Sequence, residues 1–265
     1  MIRVIFSESS VDFDFPTSWS DFNQKQLRYV FFALSTYNRD EAKLRIFCRL
    51  FELTIIRYNR QSVTLTAQND AKREFSLSMG SLVSVLSHLD FLFQPNHTPV
   101  RLDAISAQHD NKRVTFEAVH PGLQGVPFRD YLSLENYYQG FLRTKNRHLL
   151  RSMLALLYRH ESHSLADTQF IVKPWLEDSV LLWYASIKNA LADTFEDFFG
   201  DVDTSSPSAE MPNFLKIMNA QIRALTGGDI TKEETILDMD CWRALTELNE
   251  KSREAREWRQ KYGRD

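Results

Sequence analysis

The sequence predicts an α+β fold in which helices dominate. Short segments of alternating apolar and polar residues predict strands, whereas longer segments with apolar residues every three or four positions predict helices. Nineteen phenylalanines, nine tyrosines and five tryptophans supply large side chains for a core. Eight glycines in 265 residues are too few for an all-β fold built on tight turns.

The N-terminal part is predicted to be a β-hairpin followed by a helical hairpin. Residues 1–16 alternate on both sides of the turn-like SESS, and Pro16 ends the strand because proline has no N–H to donate. Asn23 and Gln26 have capping-box spacing and predict a helix start. The helix has an apolar stripe, and Asp40 is the expected cap of the next helix.

The middle of the chain is predicted to alternate between strands and helices. Strands are expected at 54–58, 62–67 and 73–78 and a helix at 80–92. VRLDAI and RVTFEAV are the next strand candidates, with DNK as the turn between them.

A second helical hairpin is predicted within FRDYLSLENYYQGFLRTKNRHLLRSMLALLY. Ser133 is the expected cap of its first helix, and TKN is the break before its second. The order of aromatic residue, cap, helix, break and helix repeats that of the N-terminal hairpin. This similarity predicts an internal duplication.

The C-terminal part is predicted to contain a helix near 176–199, a linker, and two further helices. Gly227 is the expected stop of the first of these, and Thr231 with Glu234 is the expected capping box of one continuous final helix. The predicted segments are 1–127, 128–199, the Ser- and Pro-rich exposed linker 200–213, and 214–265.

Composition argues against several classes of function and site. A net charge of −3 provides no overall attraction to nucleic acid, and the basic segments RTKNRHLLRS and KSREAREWRQK are interpreted as solvated helix faces. Cys48 and Cys241 are isolated among apolar residues, so neither a disulfide nor a zinc site is expected. With no signal-like N-terminus and no apolar stretch long enough to cross a bilayer, we expect a protein kept inside a cell.

No group of residues in the sequence has the spacing of a known catalytic or metal motif. His160 and His163 lack further ligands nearby and are interpreted as part of a solvated loop. Asp238 and Asp240 would lie on different faces of a helix, so they are not expected to bind magnesium. We therefore expect no cofactor, no metal and no small-molecule substrate, and a protein that is not an enzyme.

The final helix is the most informative segment for function. Its apolar stripe at Leu237, Cys241, Ala244, Leu245 and Leu248 is continued beyond that point only by Ala255, Trp258 and Tyr262. A helix so polar gains little by packing on its own domain, so it either frays or projects toward another chain. The candidate partner-binding residues are Trp242, Trp258 and Tyr262, because interfaces concentrate binding energy in large aromatic side chains.

Three segments resemble tail-region proteins of bacteriophages and prophages. They are FDFPTSWSDFNQKQL, YLSLENYYQGFLRTKNRHLLRSMLALLY and ALTGGDITKEETILDMDCWRALTELNEK, and they cover about a third of the chain. The resemblance implies a non-catalytic tail assembly chaperone in the host cytoplasm that binds a tape-measure-like protein. It transfers no site residue.

The mechanism expected of such a chaperone is to shield a hydrophobic helix of its partner, either in an apolar groove between helices or on the C-terminal helix. Three alternatives remain open. The chain could be a virion connector or neck protein that stays in the particle, a hydrolase or nuclease with a dispersed site, or a nucleic-acid binder. The sequence leaves the oligomeric state open.

Overall fold

The α+β, mainly helical fold is confirmed by a computed structural model that describes residues 2–5, 10–67, 70–110, 112–165, 172–200 and 214–263. The chain forms two compact units, one of residues 1–95 with 173–179 and the other of residues 96–172 with 180–265. The boundary predicted after residue 127 lies inside the second unit. The predicted linker at 200–213 lies outside the described residues except for Gly200.

The first unit begins with the predicted hairpin. Strands β1 (Ile2–Ile5) and β2 (Ser10–Phe13) pair antiparallel, and helices α1 (Gln24–Thr36) and α2 (Arg39–Leu50) follow. Asn23 and Gln26 form the predicted capping box, in which each side chain accepts a hydrogen bond from the other residue's backbone N–H at 3.0 and 2.9 Å.

The predicted cap of α2 is wrong by two residues. Asn38, not Asp40, has the extended backbone of a cap, and its side chain accepts a hydrogen bond from the Glu41 N–H at 3.0 Å. Asp40 lies in the first helical turn, where its negative charge interacts favourably with the helix dipole.

Three strands form an antiparallel sheet of order β3–β4–β5, at Leu53–Tyr58, Ser62–Ala67 and Asp70–Ser78. The predicted helix at 80–92 is only half α-helical, because α3 (Met79–Leu86) continues as a 3₁₀ segment at Ser87–Phe93. Leu86, Leu89 and Leu92 are all buried. Their spacing of three residues matches the three-residue turn of a 3₁₀ helix, so tertiary packing selects the tighter helix.

Aromatic side chains fill the core of the first unit. The ring of Trp19 stacks on Phe31 at 5.9 Å, and Phe15 stacks on Phe47 at 5.7 Å. Both Trp19 and Phe15 come from the irregular segment between β2 and α1, so this segment is held by burial of its aromatic residues.

The second unit contains a sheet of order β6–β7–β8, at Ala104–His109, Lys112–Ala118 and Tyr158–Arg159. The strand predicted within VRLDAI begins only at Ala104. The remaining helices are α4 (Phe128–Thr144), α5 (Arg147–Leu157), α6 (Pro174–Thr194), α7 (Glu196–Phe199), α8 (Phe214–Thr226), α9 (Glu233–Asp238) and α10 (Cys241–Tyr262). Residues 174–179 of α6 belong to the first unit. Of the helices that the structure describes, none has both the length and the apolar content to span a bilayer.

The second helical hairpin exists, but its predicted start is wrong. Helix α4 begins at Phe128, so Ser133 lies inside the helix and its hydroxyl donates to the Arg129 carbonyl at 2.9 Å. The predicted break is confirmed, because Lys145 adopts a left-handed backbone and Asn146 caps α5. Internal duplication of the two hairpins stays a prediction.

The continuous final helix predicted from Thr231 is also wrong. Asp229 caps a short 3₁₀ turn by accepting a hydrogen bond from the Thr231 N–H at 3.0 Å, and α9 ends at Asp238. Met239 leaves the helical conformation, and α10 begins at Cys241. The stop after α8 at Gly227 is confirmed by its positive φ of 64°.

Replacement of Leu154 by alanine should lower the free energy of unfolding by about 2–5 kcal/mol, because Leu154 is fully buried in α5 and its loss leaves a cavity. The matched control is Leu142→Ala in α4, where the leucine side chain is 42% exposed and a loss under about 1 kcal/mol is expected. Urea denaturation followed by circular dichroism measures both. Equal losses would contradict the packing described for this hairpin.

Candidate protein-binding surface

The start of α10 is fixed by the loop of residues 120–127. The Cys241 N–H donates to the Val126 carbonyl, and the Phe128 N–H donates to the Met239 carbonyl, both at 2.8 Å. The Asp240 carboxylate accepts from the backbone N–H groups of Trp242, Arg243 and the loop residue Gly125. Asp240 therefore caps the helix and anchors the loop at once.

Trp242, one of the predicted partner-binding residues, lies in this junction. Its indole N–H donates to the Gly122 carbonyl, and its ring packs edge-on against Phe195 with 5.3 Å between centroids. The side chain is half-buried in contacts within its own unit. Trp242 is therefore separate from the exposed end of the helix, where Trp258 and Tyr262 lie.

The first two turns of α10 bury four of the five residues of the predicted stripe, whereas Leu237 lies in α9 and is half-buried. Cys241, Ala244, Leu245 and Leu248 are buried, and the helix packs on α4, α7 and α8. The Asn249 side chain accepts a hydrogen bond from the Phe198 N–H at 3.0 Å, and Arg256 forms an ion pair with Asp197. These contacts fix the direction in which the rest of the helix extends.

The end of α10 presents an exposed aromatic pair. Every residue from 253 to 263 is exposed. The Trp258 and Tyr262 side chains are 64% and 61% exposed, and their ring centroids lie 5.6 Å apart, one helical turn from each other. We call Trp258 and Tyr262 the aromatic end of α10.

Charges around the aromatic end are partly neutralised within the helix. Arg253 forms ion pairs with Glu250 and Glu257, and Lys251 with Glu247. The Lys261 ammonium lies 5.3 Å from the ring centroid of Tyr262. Glu254, one helical turn before Trp258, and Glu257 also lie beside the aromatic pair, so charges of both signs flank it.

The histidines of the RHESH segment pack against the rings of His109 and Phe116. His163 lies between His109 and His160, with ring centroids at 4.7 and 4.9 Å, and His160 also packs on Phe116. No group of three metal-ligating side chains suited to hold an ion is found among the residues that the structure describes.

The other chemical candidates have structural roles. Asp238 forms an ion pair with Arg129 at 2.6 Å, while Asp240 is the cap of α10. The Cys241 S–H donates to the Leu123 carbonyl at 3.1 Å. Burial raises the pKa of the Cys48 thiol to about 11 and that of Cys241 to about 12, so neither is a thiolate at neutral pH.

A partly buried polar network in the second unit was not found from the sequence. The Glu135 carboxylate accepts hydrogen bonds from Lys188 at 2.8 Å and from the Tyr184 hydroxyl at 3.1 Å. Burial is the main reason that the pKa of Tyr184 lies well above its ordinary value, and the nearby negative charge of Glu135 raises this pKa further. The sequence signal was Lys188, a charged residue within a strongly apolar helix.

Two open cavities lie in the first unit. One, of about 480 Å³, is lined by residues from Asp14 to Gln26 and by Leu50 and Phe51, and the other, of about 430 Å³, lies beside Ser87 to Gln94. His88 and Asp90 line the second cavity, and the Asp90 carboxylate accepts hydrogen bonds from Arg39 and Lys43, both at 3.0 Å.

Comparison of the chain with protein-family models, curated proteins and solved structures finds no match.

Replacement of Asp240 by alanine should lower the free energy of unfolding by about 1–2 kcal/mol, because it removes the α10 cap and the partner of the Gly125 N–H together. Asp238→Ala is the control. It removes an exposed ion pair and should cost less than about 1 kcal/mol. Thermal unfolding distinguishes the two variants, and an Asp240→Ala variant as stable as the control would contradict the role of Asp240 in joining α10 to the loop.

Thiol labelling of the native protein by a disulfide reagent should be slow near pH 7 and should accelerate as pH approaches the raised pKa values of Cys48 and Cys241. Both pKa values exceed the ordinary 9.0, which means that folding favours the protonated thiols. Their contribution to the free energy of unfolding is present below pH 9 and is lost as pH rises through the raised pKa values. Labelling in urea provides the fast reference. Equally fast labelling of the folded chain would contradict the described burial.

Proposed function

We propose that the protein is a non-catalytic assembly factor that binds another polypeptide through the aromatic end of α10. In the form that the sequence resemblance suggests, it is a phage tail assembly chaperone whose partner is a tape-measure-like protein. It would act in the cytoplasm of the host bacterium, before the particle is complete.

The observation that carries this proposal is the exposure of Trp258 and Tyr262 on a helix whose base is firmly anchored. Docking a partner would remove on the order of 100 Å² of each ring from water, which corresponds to roughly 2–4 kcal/mol per ring. Because the helix is already ordered, little additional conformational entropy is lost on binding.

The surface favours a helical partner with an apolar stripe. Trp258 and Tyr262 have the i, i+4 spacing with which helices present anchors to one another. Charges of both signs flank the pair, so the stripe of the partner would be flanked by charges of both signs as well. Covering a partner's apolar helix in this way would prevent its aggregation during assembly.

The proposal is tested by co-expressing the tagged chain with the proteins of neighbouring tail genes. We expect a tape-measure-like protein to co-purify and remain soluble. Trp258→Ala with Tyr262→Ala should weaken binding by at least about tenfold, because both anchors are lost. Leu215→Ala with Ile230→Ala, which truncates exposed apolar residues elsewhere in the same unit, is the control. Failure to recover any tail protein, or equal effects of the two double variants, would contradict the proposal.

A connector or neck protein would use the same surface but remain in the virion. Mass spectrometry of purified particles distinguishes the roles. We expect the chain to be absent from particles, and its presence in a fixed copy number would favour the structural role.

A further inference from the structure

The helical hairpin of the first unit carries three aromatic rings on its surface. The ring centroids of Tyr29 and Phe32, both in α1, lie 6.1 Å apart, and the ring of Tyr37, which follows α1, lies 6.0 Å from that of Phe32. All three side chains are half-buried, so part of each one is accessible to solvent. We call Tyr29, Phe32 and Tyr37 the ring cluster.

Two arginine side chains from α2 lie over the ring cluster. The guanidinium carbon of Arg45 lies 4.1 Å from the ring centroid of Tyr37, and that of Arg49 lies 5.7 Å from the ring centroid of Tyr29. Both distances are within the range of cation–π attraction, and both arginines are exposed. The rings therefore restrict two positively charged side chains that still face solvent.

Helix α1 adds two further cations to the same surface. Lys25 precedes Tyr29 by four residues, and Arg28 precedes Phe32 by four, so both lie on the face of α1 that carries the rings. Both side chains are exposed. The sequence contains no acidic residue from 22 to 39, so α1 itself supplies no carboxylate to neutralise them.

The carboxylates that contact this part of the hairpin are already engaged. Glu41 forms an ion pair with Arg45 at 2.9 Å, and Asp178 accepts a hydrogen bond from the Ser35 hydroxyl at 2.5 Å.

Three of the four cations are left without a carboxylate partner. In the part of the chain that the structure describes, Lys25, Arg28 and Arg49 form no ion pair. The net charge of −3 does not cancel this local excess, because charges on a protein surface are largely screened beyond about 10 Å at 0.1 M salt. The surface around the ring cluster is therefore locally positive.

We propose that the ring cluster and the cations around it bind single-stranded nucleic acid. Bases would stack on the accessible parts of the rings, while Arg28 and Arg49 would contact phosphates. Aromatic platforms beside positively charged side chains are the combination that proteins use to bind single strands. This inference is independent of the proposed function, since it concerns a different unit and a different surface.

A single strand fits this surface better than an acidic polypeptide or a duplex does. None of the exposed large apolar side chains in the described part of the chain lies in α1 or α2, so the surface offers rings and cations but no exposed aliphatic anchor for a polypeptide. A duplex hides the faces of its bases within the stack, and only unpaired bases are free to stack on aromatic side chains.

Fluorescence anisotropy of a labelled oligothymidylate, titrated with the full chain at several salt concentrations, tests the proposal. We expect binding that weakens as salt rises. Arg28→Ala with Arg49→Ala should weaken it at least about tenfold and flatten the slope of log K against log salt by about 1.4, because each phosphate contact in a single strand contributes about 0.7.

The matched control is Arg57→Ala with Arg60→Ala, which removes two exposed arginines elsewhere in the same unit. It should leave both the affinity and the salt slope nearly unchanged. Absence of binding by the wild type at low salt, or equal losses in the two double variants, would overturn the proposal.

A second measurement separates base stacking from charge without altering the protein. An abasic strand of equal length carries the same phosphates but no bases, and we expect it to bind at least about tenfold more weakly. Equal affinity for the abasic strand would overturn the role of the rings. A poly-glutamate peptide that binds as tightly as the oligothymidylate would instead identify the surface as one for acidic polypeptides, and would also overturn the proposal.

Tyr29→Leu with Phe32→Leu tests the rings themselves and keeps apolar side chains at both positions. We expect this variant to lose the preference for the base-containing strand while retaining the salt dependence, since the four cations remain. Circular dichroism checks that the variant is folded. A preference that persists in the folded variant would contradict stacking on these rings.

Discussion

The arrangement of the C-terminal helices depends on the junction that the 120–127 loop makes with Asp240. Two backbone hydrogen bonds, at Cys241 and Phe128, join the loop to the chain between α9 and α10. The Asp240 carboxylate then satisfies helix and loop donors together. Without this junction the α10 N-terminus would have exposed, unpaired N–H groups, and nothing would set the direction of its aromatic end.

Burial of aromatic side chains holds the irregular segments of both units. In the first unit Trp19 and Phe15 fix the connection between β2 and α1. In the second, Trp183 donates its indole N–H to the Pro121 carbonyl, and so supports the same loop that anchors α10. Most of the aromatic residues are therefore explained by packing in the core. The few that are exposed need another explanation.

The sequence by itself determined the fold class, most helices and strands, the capping box at Asn23 and the glycine stop at Gly227. Local periodicity and turn chemistry decide these features, and both are written in neighbouring residues. It also identified Trp258 and Tyr262 as a sparse apolar face, which the structure places in the solvent.

Only the tertiary structure decided the rest. The break at Asp240 depends on hydrogen bonds to a loop more than a hundred residues earlier in the chain, and the 3₁₀ segment depends on the packing of three leucines. The same long-range contacts placed Trp242 within the fold and started α4 at Phe128 rather than at Ser133. Such choices arise because a distant backbone partner can satisfy a donor or acceptor as well as a local cap does.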